Sequence, residues 1–313
     1  MDHFALLSIA RGILEQPTAP FHEEAVRAEI ERQLATFPHV RFGRDDFGNV
    51  IASYQRGPLA PQYAFAAHMD HPAYVGTEFL GGVPESYRAK EPPTRSFGEF
   101  AMWDLPAFEV ADERIHSRAC DDLIGCTAIL HMFQQLEDSG ADAACYGLFT
   151  RAEEVGFVGA IHLAKSRRVP SNVTIVSLET SSERGGPVRM HDGVIIRVGD
   201  KMSIFDPQAT AQLTEVARAH GIPFQRTLMT GGTCEATAYQ LYGYRTGGLC
   251  VALGNYHNCG PDDQIAAEFV AIEDVAGMSR LCAAAASLGE LPDPAATMRT
   301  RMEERMREYE RYF

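Results

Sequence analysis

The sequence predicts an α/β fold, with a largely parallel sheet covered by helices on both faces. Three observations point there. Short apolar runs such as Val173–Leu178 and Gly247–Leu253 read as strands, and Val173–Leu178 is rich in β-branched residues. Segments of helical period, such as Asp122–Leu136 and Gln208–His220, separate those runs. The run Tyr63–Asp70, YAFAAHMD, is apolar until its polar end, as a strand buried on both faces would be.

In chain order, residues 22–36 alternate apolar and charged positions at helical spacing, between Pro20 and Pro38. Asn49–Tyr54 reads as a strand, followed by a polar loop with Pro58 and Pro61. After the Tyr63–Asp70 strand, residues 76–118 change character. They hold Gly81-Gly82, Pro92-Pro93, many charges and the single tryptophan, Trp103, and read as a small inserted module of limited regularity. Beyond residue 118 a strand–helix rhythm sets in. Asp122–Leu136 is a helix, Ala144–Thr150 a strand, Phe157–Lys165 a helix, and Val173–Leu178 and Val194–Val198 are strands. Gln208–His220 is a helix, Gly247–Leu253 a strand and Ala267–Ala285 a helix. Residues 294–313 form a charged helix, read as solvated. The expected organisation is one catalytic domain, 1–75 and 119–313, interrupted by the module 76–118.

Composition removes several classes of function. Acidic residues outnumber basic ones by 42 to 28, a formal charge of −14, which argues against a nucleic-acid partner. With 45% hydrophobic and 22% charged residues the chain is not expected to be disordered. The opening residues are interrupted by Arg11 and Glu15, unlike a secretory leader, and no apolar stretch is long enough to span a membrane. Seven cysteines without a CxxC pair suggest reduced thiols and a cytoplasmic location. GxGxxG, P-loop and GxSxG motifs are absent.

In open α/β sheets, ligands bind beyond the carboxyl ends of the strands. The residues found there are His68 and Asp70, Asp121 and Asp122, Glu153 and Glu154, Glu179, and His257. Each alone has an ordinary explanation: a satisfied histidine, a solvated Glu-Glu turn, Asp121 capping the next helix. Their recurrence at one end of the sheet favours a metal site. Imidazole with carboxylate suits zinc, cobalt or manganese. Five candidate ligands exceed the three that a single catalytic zinc takes, so two metal ions are expected. His68 and Asp70, two apart on a strand, share a face, which lets Asp70 orient the imidazole. Glu153 and Glu154 project differently, so one can bind metal while the other serves as general base, its pKa raised by neighbouring anions. Gly156 and Gly159 permit a tight turn into the next helix.

The segments AHMDHPAYVG (67–76), ACDDLIGC (119–126), TRAEEVGFVGA (150–160), VSLETS (176–181), GGTCEA (231–236) and NYHNCGP (255–261) resemble the ordered signatures of the co-catalytic dizinc exopeptidase superfamily. Within it the chain is most like the TET-type and glutamyl aminopeptidases. The resemblance implies a three-layer, zinc-exopeptidase-like (phosphorylase/hydrolase-like) fold with a mixed, largely parallel sheet. It implies that His68 and Glu179 bind one metal, that Glu154 and His257 bind the other, and that Asp121 bridges them. Asp70 would orient His68, and Glu153 would be the base acting on the bridging water. The implied activity is hydrolysis of a peptide or small amide next to a free terminus, by a metalloaminopeptidase. The alternative is an N-acyl-amino-acid or small-amide hydrolase, of deacylase or carboxypeptidase type, with the same metals.

This sequence departs from that pattern at His71, at Glu179 where many aminopeptidases carry aspartate, and at Cys234. Its insertion is also shorter than the branch's second domain, so a homo-oligomer smaller than a TET dodecamer is expected. Substrate contacts would come from the insertion and from residues 183–192 and 226–236. Two weaker readings are a thiol hydrolase built on His257 and Cys259, and a non-catalytic metal-binding protein.

Overall fold

Tyr63–His68 and Thr174–Ser182 lie side by side in the middle of an eight-stranded sheet. The computed structural model describes residues 3–184, 186–291 and 293–313. The sheet runs Val40–Arg44, Val50–Arg56, Ala143–Thr150, Tyr63–His68, Thr174–Ser182, Thr246–Leu253, Val194–Gly199, Phe224–Leu228. Ala143–Thr150, Tyr63–His68, Thr174–Ser182 and Thr246–Leu253 are mutually parallel. Val50–Arg56 and Val194–Gly199 flank them antiparallel, and the sheet stays open at both edges. This is the mixed, largely parallel α/β sheet that the sequence predicts.

Alternation along Tyr63–His68 explains the layering. Tyr63, Phe65 and Ala67 pack into the larger core, under the helices Phe4–Leu14, Glu24–Leu34, Leu123–Ser139, Pro207–Ala219 and Ile272–Ala286. Ala64 and Ala66 face a second core with Leu163 and Tyr239, from the helices Val158–Ser166 and Glu235–Leu241. Alanines at those two points let the backbone approach closely.

The helix Leu123–Ser139 shows how local sequence sets element ends. Asp122 Oδ1 accepts from Gly125 N at 3.0 Å and caps its start. Gly140, at φ +66°, ends it in the left-handed conformation. Asp122, and not Asp121, is therefore the capping residue, which leaves the Asp121 carboxylate free for other work.

Two sequence expectations need correction. Ala267–Ala285 is not one helix: Glu268–Ala271 is a strand, and the helix starts at Ile272. That strand pairs antiparallel with Arg114–Ser117, forming a three-stranded sheet with Glu109–Ala111. The segment 76–118 is also more regular than expected. Ala73–Val75, Glu78–Leu80, Thr94–Ser96 and Phe100–Trp103 make a four-stranded antiparallel sheet, with Trp103, Val83 and Tyr87 as its small core. The terminal helix Pro294–Glu308 starts on a half-buried Pro294 and is exposed at its described residues from Ala295 onward, close to the solvated helix expected.

Candidate metal centre

The parallel strands deliver their ends to one place. Tyr63–His68 ends on His68, in register with Thr150, the last residue of Ala143–Thr150. Glu153 and Glu154 follow Thr150 within three or four positions. Thr174–Ser182 pairs with Tyr63–His68 only as far as Ser177 and Ala66, and two residues further that register sets Glu179 level with His68. Past this point Glu179 has lost its neighbour on one side, which opens the space in front of it. His257 lies just beyond Thr246–Leu253, and Asp121 just before the helix Leu123–Ser139.

These residues converge as two buried or half-buried triads. His68, Glu153 and Glu179 offer ligand atoms within 4.8 Å of one another, and so do Asp121, Glu154 and His257. Asp121 stands between them: its Oδ1 is 3.6 Å from His68 Nε2 and its Oδ2 is 3.4 Å from His257 Nε2. Glu154 Oε1 lies 3.2 Å from His257 Nε2, and Glu153 Oε2 lies 3.8 Å from His68 Nε2. Ligand atoms about 2.1 Å from a tetrahedral ion stand roughly 3.4 Å apart, so these separations suit a shared cation.

The electrostatics describe a site rich in anions. Burial pushes the Glu153 carboxyl well above its usual range, and Glu179, Glu154 and Asp70 add repulsion that His68 only partly offsets. Burial also raises Glu179 to about 8, against the pull of His68. Burial would lower His68 and His257, yet Glu153 beside the first and Glu154 beside the second outweigh it and raise both. Burial likewise opposes ionisation of Asp121, but the imidazoles of His257 and His68 beside it hold it well below the carboxylate range. Asp121 Oδ1 and Glu154 Oε1 are buried without a well-aligned hydrogen bond. Orphaned oxygens in a crowd of imidazole and carboxylate donors fit a pair of divalent cations.

A supporting shell fixes these groups. Asp70 Oδ1 and Oδ2 accept from the backbone amides of Glu153 and Glu154, at 2.9 and 3.1 Å. His68 Nδ1 lies 3.1 Å from the Asp70 carbonyl oxygen and 3.4 Å from its carboxylate, so Asp70 orients the ring mainly through its backbone. His257 Nδ1 donates to the carbonyl of Gly82, at 3.0 Å, which leaves Nε2 for the centre. The segment 76–118 thus touches the site directly. His71 Nδ1 lies 2.7 Å from the Asp121 carbonyl oxygen, and its Nε2 lies 3.0 Å from Asn258 Oδ1. Both nitrogens of His257 are engaged, and Cys259 Sγ faces the His257 carbonyl rather than the ring, so the thiol pairing has no geometry here. Cys234 is buried with Phe205 and Ala236.

Two carboxylates that sequence reasoning missed hold strained backbone beside the site. Glu23 Oε1 accepts from Ala152 N at 3.0 Å, and Ala152 has φ +54°. Glu268 Oε1 accepts from His257 N at 2.7 Å, and His257 has φ +52°. Left-handed backbone at non-glycine residues persists only when its surroundings enforce it. Two cavities adjoin the centre. One of about 640 Å³ runs from His257 past Gly82, Tyr87 and Arg184. The other, about 360 Å³, lies against Glu179 and the loop Met229–Thr233. The expected substrate loops, 183–192 and 226–236, therefore contribute to cavity walls; residue 185 lies outside the described residues.

Residues 91–281, more than half of the chain, match the profile of the M42 glutamyl aminopeptidases. The chain belongs to the M42 glutamyl aminopeptidase family. Among curated proteins, this M42 chain is 26% identical over 152 residues to a protein of Acetivibrio thermocellus that carries an aminopeptidase name. That match covers 47% of the M42 chain and 45% of the relative, so the chain spans less than half the length of that protein. Among solved structures it resembles the TET aminopeptidase of the marine sediment Thaumarchaeota archaeon SCGC AB-539-E09. The TM-score is 0.76 at 18% identity, over 90% of this chain and 96% of that one. It also resembles the TET1 peptidase of Pyrococcus horikoshii, with TM-score 0.73 at 19% identity, over 90% of this chain and 99% of that one. That peptidase is described as assembling into a tetrahedron or a large octahedral shell. At these identities the structural likeness establishes the fold.

Proposed function

We propose that the protein is a two-metal aminopeptidase, hydrolysing the amide bond next to a free N-terminus. The observation that carries this reading is the pair of ligand triads that meet at Asp121: Glu153 belongs to the first, and Asp121, which also reaches His68, can take its place as ligand and free Glu153 for proton transfer. His68 and Glu179 would hold one ion, Glu154 and His257 the other, and Asp121 both. Bound there, zinc, cobalt or manganese would supply Lewis acidity toward the scissile carbonyl and its developing negative charge.

The chain's own residues do the rest. Glu153 takes a proton from the attacking water and returns it to the departing amine nitrogen. Burial keeps its carboxyl high, and bound cations would draw it back toward neutrality, where a general base works best. Asp70, through the amides of Glu153 and Glu154, keeps the base and its neighbouring ligand in fixed relative positions. His71 and Gly82 steady the Asp121 and His257 segments.

We further propose a catalytic domain of residues 1–75 and 119–313, with 76–118 as an inserted module whose Gly82 carbonyl completes the site. A homo-oligomer smaller than the dodecamer of TET enzymes accords with the shortness of that module. Seven free cysteines accord with a cytoplasmic location. Among the described residues, no helix is long and apolar enough to cross a membrane.

The test is hydrolysis of amino-acid anilides against N-acylated amino acids, with and without chelator. An aminopeptidase loses anilide hydrolysis on chelation and regains it with zinc, cobalt or manganese. Activity confined to the acylated set would replace it with the N-acyl-amino-acid hydrolase that Glu179 suggests. Chelator-resistant hydrolysis would refute both.

A further inference from the structure

The cavity of about 360 Å³ beside Glu179 is lined by a buried positive charge that has no ion pair of its own. Arg197, on the strand Val194–Gly199, lines it and is 4% exposed. Its register partner on the neighbouring strand is Gly248, where an added Cβ would stand 3.2 Å from the Arg197 Cβ. The missing side chain leaves room for the arginine stem between strands. Its Nε is buried without a partner. Among the described residues, no hydrogen bond or ion pair joins the Arg197 side chain to any other group.

Glu179 and Asp200 act on it through space, without a direct contact, and both are committed elsewhere. Asp200 accepts from Met202 N and Ser203 N on one oxygen, and from Cys234 N and Thr237 Oγ1 on the other. Burial pushes the thiols of Cys234 and Cys250 up, so neither is an anion. Glu179 faces His68 and Glu153 in the metal centre and accepts from Ser177 Oγ at 3.3 Å. An arginine cannot discharge itself by losing a proton, and a buried unpaired charge is strongly unfavourable. The arrangement makes sense when an anion arrives from outside.

We propose that Arg197 is the carboxylate receptor of this cavity, gripping a substrate carboxylate while the scissile amide lies at the metal centre. This rests on the aminopeptidase reading for the position of the amide. A planar guanidinium meets a carboxylate through two parallel N–H···O bonds, which gives geometry as well as attraction. Glu179 lines the same cavity, so a group held by Arg197 lies next to the reacting bond. Arg184, on the cavity wall, adds a second positive charge, and added Cβ atoms at Gly231 and Gly232 would meet nothing within 4 Å, so the mouth is open. Two sources supply that chemistry: the side chain of an N-terminal aspartate or glutamate, or the free α-carboxylate of a short substrate.

The experiment compares metal-loaded wild type, Arg197→Gln and Arg197→Lys. Their kcat/KM is measured on glutamyl against glutaminyl anilide, and on Ala-Ala against Ala-Ala amide. Calorimetric binding of glutarate, against its monoamide, is measured on the same proteins. Wild type is expected to favour one carboxylate-bearing member roughly ten- to a hundredfold, the size of a charge-assisted hydrogen-bonded contact. A preference for the glutamyl anilide identifies a side-chain carboxylate, and a preference for Ala-Ala identifies the α-carboxylate. Arg197→Gln should bring the ratio near one, and Arg197→Lys should retain part of it, which also guards against a misfolded Gln variant. Ratios near one in wild type, or unchanged in Arg197→Gln, overturn the proposal. If no anilide or dipeptide is hydrolysed, the aminopeptidase reading fails on its own. Glutarate binding that Arg197→Gln abolishes would then still uphold the receptor, and no binding in wild type would overturn it.

Discussion

Glu268 Oε1 accepts a hydrogen bond from the backbone amide of His257 at 2.7 Å, and so holds a proposed metal ligand in a left-handed conformation. Its other oxygen accepts from Cys120 N at 2.7 Å and Asp121 N at 3.0 Å. One buried carboxylate thereby fixes the backbone of two proposed ligands that are far apart in sequence. In Glu268→Gln an NH2 group would confront amide donors. We expect metal affinity to fall roughly 10- to 100-fold, as with other outer-shell changes, and the metal-free chain to lose about 1–3 kcal/mol. Competition titration with a chromophoric chelator and urea unfolding check the two effects, and wild-type values in both would contradict the role.

Gly159 is expected to resist any side chain. An added Cβ would lie 2.4 Å from Arg151 O, 2.6 Å from Arg151 N and 2.6 Å from Asn49 Oδ1, against backbone that cannot swing aside. Asn49 Oδ1 also accepts from Arg151 N, so the clash reaches the turn that presents Glu153 and Glu154. Gly159→Ala should cost about 1–3 kcal/mol, the usual range for overpacking, and should lower kcat. Urea unfolding and steady-state rates measure both. An unchanged midpoint would mean that the turn is softer than its contacts imply.

His131 gives a pH dependence away from the centre. Burial lowers it to about 4, with the charges of His3 and Arg280 acting in the same direction. Between about pH 4 and the ordinary histidine value of 6.5, the unfolded chain therefore binds a proton more readily than the folded one. Stability from this group is complete above about pH 6.5 and is lost as pH falls toward 4, by at most about 3 kcal/mol. Urea midpoints at pH 7.5 and 4.5 should drop less in His131→Gln than in wild type. Equal drops would show that His131 does not carry the effect.

Sequence reading found the parallel strands because their runs are apolar on both faces: every residue of Tyr63–His68 is buried. It found the ligand candidates because polar residues stand out at the ends of such runs. It mistook Glu268–Ala271 for helix, since EFVAIEDV continues smoothly into the helix Ile272–Ala286 and only pairing with Arg114–Ser117 makes it a strand. Glu268 was hidden by that error. The strands of 76–118 are three or four residues each, too short for a period to show. Arg197 sits in an apolar strand where only its missing partners mark it out. Neither its isolation nor the left-handed conformation at His257 leaves a trace in residue order.

In the proposed mechanism Glu153 moves protons, while His68, Asp121, Glu154, Glu179 and His257 hold metal. Glu153→Gln, assayed for metal content by elemental analysis and for kcat on the best anilide, separates the two roles. The variant is expected to bind two metal equivalents per chain, as wild type does, with kcat reduced roughly 10²- to 10⁴-fold. Turnover near wild type, or a protein that has lost its metal, would contradict it.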